Sequence, residues 1–171
     1  MIHIYSGDGK GKTSAAVGLA LRGAGAGLRV CFYQFLKDGS SSEIAMLRAA
    51  AGISVICCEV CSKFVFQMSE AEKAAVTARH NEMLEQAKET VRSGGADMIV
   101  LDELFGAYSE GMLDRSAAEE IVRSCPVSTE LVLTGRDPAE FFCERADYHS
   151  EIRSVRNPYD KGVKARKGIE Y

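Results

Sequence analysis

An α/β fold, a mainly parallel β-sheet flanked by helices on both faces, is the class this sequence predicts. Three observations lead there. Short apolar runs alternate with helical stretches along the whole chain, as repeated βα units require. The runs Met98-Ile99-Val100-Leu101 and Glu130-Leu131-Val132-Leu133-Thr134 are continuous, the pattern of strands buried on both faces. A glycine-rich loop, Ser6-Gly7-Asp8-Gly9-Lys10-Gly11-Lys12-Thr13, stands between a first strand and a first helix.

Taken in order, residues 1–5 (Met-Ile-His-Ile-Tyr) favour β-structure and suffice for one strand. Residues 14–22 are rich in Ala and Leu and predict a helix. A glycine-rich turn over 23–27 precedes a β-branched and aromatic strand over 29–36. Residues 37–42 form a polar loop, and a helix follows over 43–51, with Ser40 and Glu43 at capping-box spacing. Residues 53–57 read as a strand, and the regular pattern lapses over 59–68. Ser69 with Glu72 makes a second capping box and opens the longest helix, reaching Arg92 and ended by Gly94-Gly95. Ala71, Ala74, Ala75, Ala78, Ala87 and Val91 lie at helical spacing within it. After the strand at 98–101, Ser116 with Glu119 opens a helix; after the strand at 130–134, Asp137-Pro138 starts another. A last strand is expected over 150–155, with an irregular remainder.

The glycine-rich loop carries the first chemistry. Its glycines let successive backbone N–H groups point inward as an anion nest, and the following helix adds its unpaired N–H groups and positive dipole end. Lys12 supplies a mobile charge for phosphate oxygens, and the Thr13 hydroxyl is placed to ligate Mg²⁺. Ser6 stands where the usual pattern has Gly, while Gly11-Lys12-Thr13 fits it. This is a phosphate-binding loop, and residues 6–14 (Ser6, Gly7, Asp8, Gly9, Lys10, Gly11, Lys12, Thr13 and Ser14) are its candidate ATP contacts.

A second signal is Asp102-Glu103, directly after a buried strand. Ligands of parallel α/β sheets sit at the carboxyl ends of the strands, the edge where the loop also lies. Two carboxylates there can hold Mg²⁺ directly or through water. Thr134-Gly135-Arg136 ends the next strand in the same way and brings a guanidinium to that edge, suited to phosphate or carboxylate.

Composition bounds the rest. The chain has 171 residues, one domain by size, with 46% hydrophobic and 26% charged residues. With 21 basic and 24 acidic residues the net charge is −3, so no global field draws it to nucleic acid or anionic membrane. No apolar run approaches the roughly 20 residues that span a bilayer, and no basic n-region marks a signal peptide. Of the six cysteines, three fall in Cys57-Cys58-Glu59-Val60-Cys61, which contains a CxxC that could be redox-active or half a zinc site. No second CxxC accompanies it, and His3, His80 and His149 show no ligand spacing, so the default is reduced structural thiols in a cytoplasmic protein. Residues 153–171 are basic, with Tyr159 and Tyr171 interleaved, but too varied to be a mere charge run.

The loop, Tyr33-Gln34-Phe35-Leu36-Lys37, Val100-Leu101-Asp102-Glu103-Leu104, Leu133-Thr134-Gly135-Arg136 and the tail occur in this order. Together they resemble the P-loop ATP:corrinoid adenosyltransferases over nearly the whole chain, and that family also has a small hydroxylated residue at the Ser6 position. The resemblance implies a P-loop NTPase-like (RecA-like) fold. It also implies transfer of the 5′-deoxyadenosyl group of ATP to the Co(I) of a corrinoid, cobalamin or a precursor, leaving triphosphate. Gly7 to Lys12 would hold phosphates, and Thr13 with Glu103, Asp102 nearby, would hold Mg²⁺. Lys12, Thr13 and Glu103 are then the catalytic set, with Arg136 a further phosphate contact and Arg22 a nucleoside-side contact. Phe64 and Phe66 sit where the family carries two aromatics against the lower cobalt face. Implied partners are the corrinoid, a flavoprotein or other reductase supplying Co(I), and a second copy in a homodimer, with no nucleic acid or membrane. Some members carry a segment ahead of the first strand that helps close the site; this sequence starts at the strand. The alternatives are a P-loop ATPase or small-molecule kinase, which would release ADP, and a nucleotide-dependent regulatory module.

Overall fold

The computed structural model describes residues 1–170; Tyr171, the second tyrosine of the tail, lies outside them. Six strands form one parallel sheet: β1 (Ile2–Ser6), β2 (Val30–Gln34), β3 (Ile53–Cys57), β4 (Met98–Asp102), β5 (Glu130–Gly135) and β6 (Tyr148–Glu151). Their order is β3-β2-β4-β5-β1-β6, so β1 is inserted between the last two strands of the sequence. Helices α1 (Lys12–Gly25), α2 (Ser42–Ala49), α3 (Glu70–Ser93), α4 (Leu104–Ser109), α5 (Arg115–Ser124) and α6 (Glu140–Cys143) connect them.

Strand alternation divides the core between the two faces of the sheet. Val30, Phe32, Met98, Val100 and Val132 pack with Ala16 and Ala20 of α1 and Ile44 and Leu47 of α2. Their neighbours Tyr33, Ile99, Leu101, Leu131 and Leu133 pack on the other face with α3, α4, α5 and α6. Every residue of β4 is buried, which is why its sequence is continuously apolar.

Several elements differ from the sequence expectation. The capping box at Ser69 and Glu72 forms as read, and Gly94 closes α3 in the left-handed conformation. The box at Ser40 and Glu43 does not: Ser41 is the N-cap of α2, and the Glu43 carboxylate accepts instead from Gln34 Nε2 at 3.3 Å. Nor does Ser116 cap α5; the Asp114 carboxylate accepts from the N–H groups of Ser116 and Ala117. Asp137-Pro138 leaves β5 in a turn with Asp137 at φ 47, and α6 starts at Glu140. The last strand is Tyr148–Glu151, earlier than 150–155, because pairing with β1 fixes its register from His3↔Tyr148 to Ser6↔Glu151. Short α4 was not anticipated. The buried stripe of α3 is Val76, His80, Met83, Leu84, Ala87 and Val91, while Ala71, Ala74, Ala75 and Ala78 face outward. Those alanines favour the helix without choosing its buried face.

His80 is the polar member of that stripe and is fully buried. Its Nδ1–H donates to the Met112 carbonyl at 2.8 Å, and Nε2 accepts from the Leu36 N–H at 3.1 Å. This fixes a neutral tautomer and holds Leu36 at φ 54, beyond the end of β2, where a leucine needs such support.

Burial, offset in part by the Met112 carbonyl, lowers the His80 pKa from 6.5 to about 4. The unfolded chain therefore takes up this proton first as pH falls. Stability is fully present above the unfolded value and declines from pH 6.5 toward about 4. Denaturant titrations across that window measure a slope approaching a single proton, worth about 3 kcal/mol in all, and His80→Gln flattens it. At the end of β5, Gly135 has φ 142, and an added Cβ would lie 2.8 Å from Cβ of Phe105. Gly135→Ala costs about 3 kcal/mol, read as a Tm lower by roughly 6–12 °C.

Candidate functional site

All the loops singled out from sequence leave the carboxyl edge of one sheet. Register does the assembling: Gln34 is level with Asp102 across β2 and β4, and Ser6 is level with Gly135 across β1 and β5. Past these positions the chain opens a cleft of about 1020 Å³, the upper end of the ordinary range for small-molecule sites.

The floor of the cleft is the glycine-rich loop. Gly11, at φ 122, leads into α1, and residues Asp8, Gly9, Lys10, Gly11, Lys12, Thr13 and Ser14 all line the space. Lys12 is 8% exposed, and its Nζ donates to the Gly9 carbonyl at 2.9 Å. Burial lowers its pKa, while Glu103 pulls the other way. Ser6 and Gly7 lie behind the loop. The Ser6 hydroxyl bonds with His149 Nε2 at 2.8 Å, and a Cβ at Gly7 would come within 2.4 Å of the Ile152 carbonyl oxygen. The polypeptide after β6 thus supports the loop directly. Ile152 N–H donates to the Ser6 carbonyl, Gly9 N–H to the Ile152 carbonyl, and Ser154 N–H to the Asp8 carboxylate.

Asp102 is the hub of the site. It is fully buried, and its Oδ1 accepts the Thr13 hydroxyl at 2.9 Å and the Thr134 hydroxyl at 2.7 Å. Its Oδ2 accepts Gln34 Nε2 at 3.3 Å and Lys37 Nζ at 3.2 Å. Every acceptor direction faces protein, so Asp102 orients other groups, whereas Glu103 faces the cleft. Glu103 is held at φ 59, with its N–H donated to the Thr134 oxygen at 3.0 Å. Burial and adjacent Asp102 raise its pKa; Lys37, Lys12 and Arg136 oppose them. Gln34 Oε1 is buried without a hydrogen-bond partner, the amide having turned both donor directions to carboxylates.

The walls bring charge together in balance: Lys10, Lys12, Lys37 and Arg136 against Asp8, Glu43, Glu103 and Glu170. Arg136 reaches the cleft as its place after β5 requires. Arg22 does not. It is exposed near the far end of α1, about 15 Å along the helix from Lys12 at 1.5 Å per residue. Phe64 lines both this cleft and an adjoining one of about 280 Å³. Phe66 stacks on it with ring centroids 5.6 Å apart but lines neither, and the two are 72% and 82% exposed.

Sequence reasoning missed Lys37, Gln34, Thr134 and the tail's part in the cleft, where Asn157, Ala165, Gly168, Ile169 and Glu170 contribute lining. Lys10 and Glu170 pair at 3.4 Å, and Glu170 also holds Arg166. The signal available for Gln34 was a polar residue closing an otherwise apolar strand at the ligand edge. The CxxC thiols are free, with Cys58 and Cys61 buried in a turn closed by Cys61 N–H to the Cys58 carbonyl. Among the described residues no group of three or more His, Cys, Asp and Glu side chains is arranged to hold a metal.

A family model described as ATP:corrinoid adenosyltransferase BtuR/CobO/CobP matches residues 1–171. The chain is 31% identical to the corrinoid adenosyltransferase of Escherichia coli K12 over 171 residues, covering 100% of this chain and 85% of that protein. The same figures hold for the corrinoid adenosyltransferase CobA of Salmonella typhimurium LT2. The Pseudomonas aeruginosa corrinoid adenosyltransferase is 29% identical, covering 98% of this chain and 82% of its own. Among solved structures, a KaiC-like protein of Pyrococcus horikoshii superposes with TM-score 0.56 at 13% identity, over 89% of this chain and 70% of that one. The flagellar accessory protein FlaH of Methanocaldococcus jannaschii gives 0.55 at 12%, over 88% and 69%. These two likenesses concern the P-loop NTPase-like fold alone.

Proposed function

The chain belongs to the ATP:corrinoid adenosyltransferase family, and from that premise we propose how its own residues carry the reaction. The protein transfers the 5′-deoxyadenosyl group of ATP to the Co(I) of a corrinoid and releases triphosphate, in adenosylcobalamin synthesis or salvage. The observation that supports the assignment of roles is one continuous cleft that joins loop residues 8–14, Glu103, Arg136 and Phe64.

In the reaction the cobalt electron pair forms the Co–C5′ bond, and the C5′–O bond breaks with its pair going to triphosphate. No proton moves, so no general base is needed. The tasks left to the chain are alignment, stabilisation of the leaving charge and exclusion of water. The loop N–H groups, Lys12 and Arg136 receive triphosphate. Phe64, which lines the cleft with Phe66 stacked on it, offers an apolar face for the corrinoid.

The donor set fits Mg²⁺. Thr13 donates its hydroxyl proton to Asp102 and so turns its lone pairs toward cations, and Glu103, lining the same cleft, adds a hard carboxylate oxygen. Bound there, Mg²⁺ supplies neutralisation of phosphate charge. Asp102 is the group that orients Thr13. The reading also takes residues 1–171 as a single domain that works in the cytoplasm as a homodimer, with a flavoprotein or other reductase as the source of Co(I). Resemblance to the family is what supports those parts. Among the described residues no helix is long and apolar enough to cross a membrane.

Anaerobic incubation of protein, Mg-ATP and chemically reduced corrinoid is the test, following the visible spectrum and the phosphate products. A light-sensitive alkylcorrinoid with matching triphosphate is the expected result; ADP or orthophosphate without spectral change would overturn the reading in favour of an ATPase or kinase. Lys12→Ala lowers transfer by about 10²–10³-fold with unchanged near-UV circular dichroism, and Glu103→Gln does so with a raised Mg²⁺ requirement.

A further inference from the structure

One cation already stands at an oxygen assigned to Mg²⁺. Lys37 Nζ lies 3.3 Å from Thr13 Oγ1 and 3.2 Å from Asp102 Oδ2. The Thr13 proton is committed to Asp102 Oδ1, so the hydroxyl meets the ammonium with a lone pair, the same donor that a divalent cation would use.

The backbone around Lys37 is fixed from three sides. Leu36 is held at φ 54 by its N–H bond to His80, and the Lys37 carbonyl accepts from Cys58 N–H at 3.3 Å. Phe35 N–H donates to the Asp102 carbonyl at 2.9 Å, which ties the same segment to β4. A side chain only 29% exposed starts from this anchored point and ends on Asp102, whose own exposure is 0%. There it forms an ion pair with the Asp102 carboxylate at 3.2 Å. A buried carboxylate beside a second one needs such a partner, since an uncompensated buried charge is costly.

Building on the Mg²⁺ role of Thr13 and Glu103, we infer that Lys37 is a resident counter-cation that competes with the divalent ion for Thr13. Metal-nucleotide binding drives the ammonium off Thr13 into the cleft that Lys37 lines, where triphosphate oxygens receive it beside Lys12 and Arg136. Two consequences follow from charge balance. The site binds a divalent cation weakly while Lys37 has nowhere else to go. Nucleotide then strengthens metal binding, because it provides the displaced ammonium with a new partner as well as adding ligands to the metal.

The experiment is Mn²⁺ binding, with free Mn²⁺ followed by electron paramagnetic resonance, with no corrinoid present and without or with ATP. Lys37→Met is expected to bind Mn²⁺ alone about tenfold more tightly than wild type, because a like charge a few ångströms away has been removed. The extra affinity gained on adding ATP is expected to shrink by a comparable factor. Lys37→Gln, which keeps a donor for both oxygens, shows the same tightening and takes the place of Lys37→Met if that chain does not fold. Lys37→Arg, which keeps the charge, stays near wild type. Unchanged or weaker Mn²⁺ binding by the folded neutral variants would overturn the inference. Glu103→Gln separates the two readings: if it loses Mn²⁺ while Lys37→Met is unchanged, the counter-cation role alone fails. If Glu103→Gln leaves Mn²⁺ affinity intact, the metal site itself is wrong and the inference falls with it.

Discussion

The structure depends on a carboxylate with no access to water. Asp102 ends a strand whose every residue is buried, and its two oxygens collect donors from four separate stretches of chain. Thr13 comes from α1, Gln34 from the end of β2, Lys37 from the loop beyond it and Thr134 from β5. Losing a donor leaves an incompletely solvated charge in the interior, so the four stretches are held in one arrangement. The glycine-rich loop, the Thr13 hydroxyl and the cleft wall take their relative positions from this requirement.

Such rigidity suits chemistry in which the reactive electron pair belongs to the substrate. A protein assisting a strong metal nucleophile gains little from side-chain bases and much from a fixed distance between two bound molecules. The cleft accordingly gathers Lys10, Lys12, Lys37 and Arg136 around the glycine-rich loop, with Phe64 lining the same space and Phe66 stacked on it. The lysines and arginine on the cleft walls are matched in number by carboxylates, so the walls carry little net charge.

Much of this could be read in the sequence because its signals are local. Continuous runs at β4 and β5 announce burial on both faces, Ser69 and Glu72 meet within a single helical turn, and the loop lies between its own strand and helix. The misread elements are those decided by distant partners. Glu43 has capping-box spacing, but Gln34 claims its carboxylate across the sheet edge. Short α4 has too few residues for a helical period and is launched by Glu103 in a left-handed conformation that Thr134 supports. Lys37 resembled any solvated loop lysine, because its position depends on His80, far away in the chain, holding Leu36 in an uncommon backbone geometry. The tail reads as a basic extension; pairing of β6 with β1 is what directs it back over the loop.

That pairing has a bearing on the order in which the molecule is made. The strand that precedes the phosphate-binding loop is synthesised before the other five, yet both of its neighbours in the sheet, β5 and β6, follow all the rest. Until residues 130–151 have emerged, β1 has no edge on which to pair, and the loop lacks the Ile152 carbonyl that fixes Gly9. The nascent chain can assemble β2, β3 and β4 with α3 while its first strand waits, an arrangement of long sequence separation that slows closure of the sheet. A ribosome-bound chain that stops short of β5 therefore carries the whole glycine-rich motif without the strands that hold it in place.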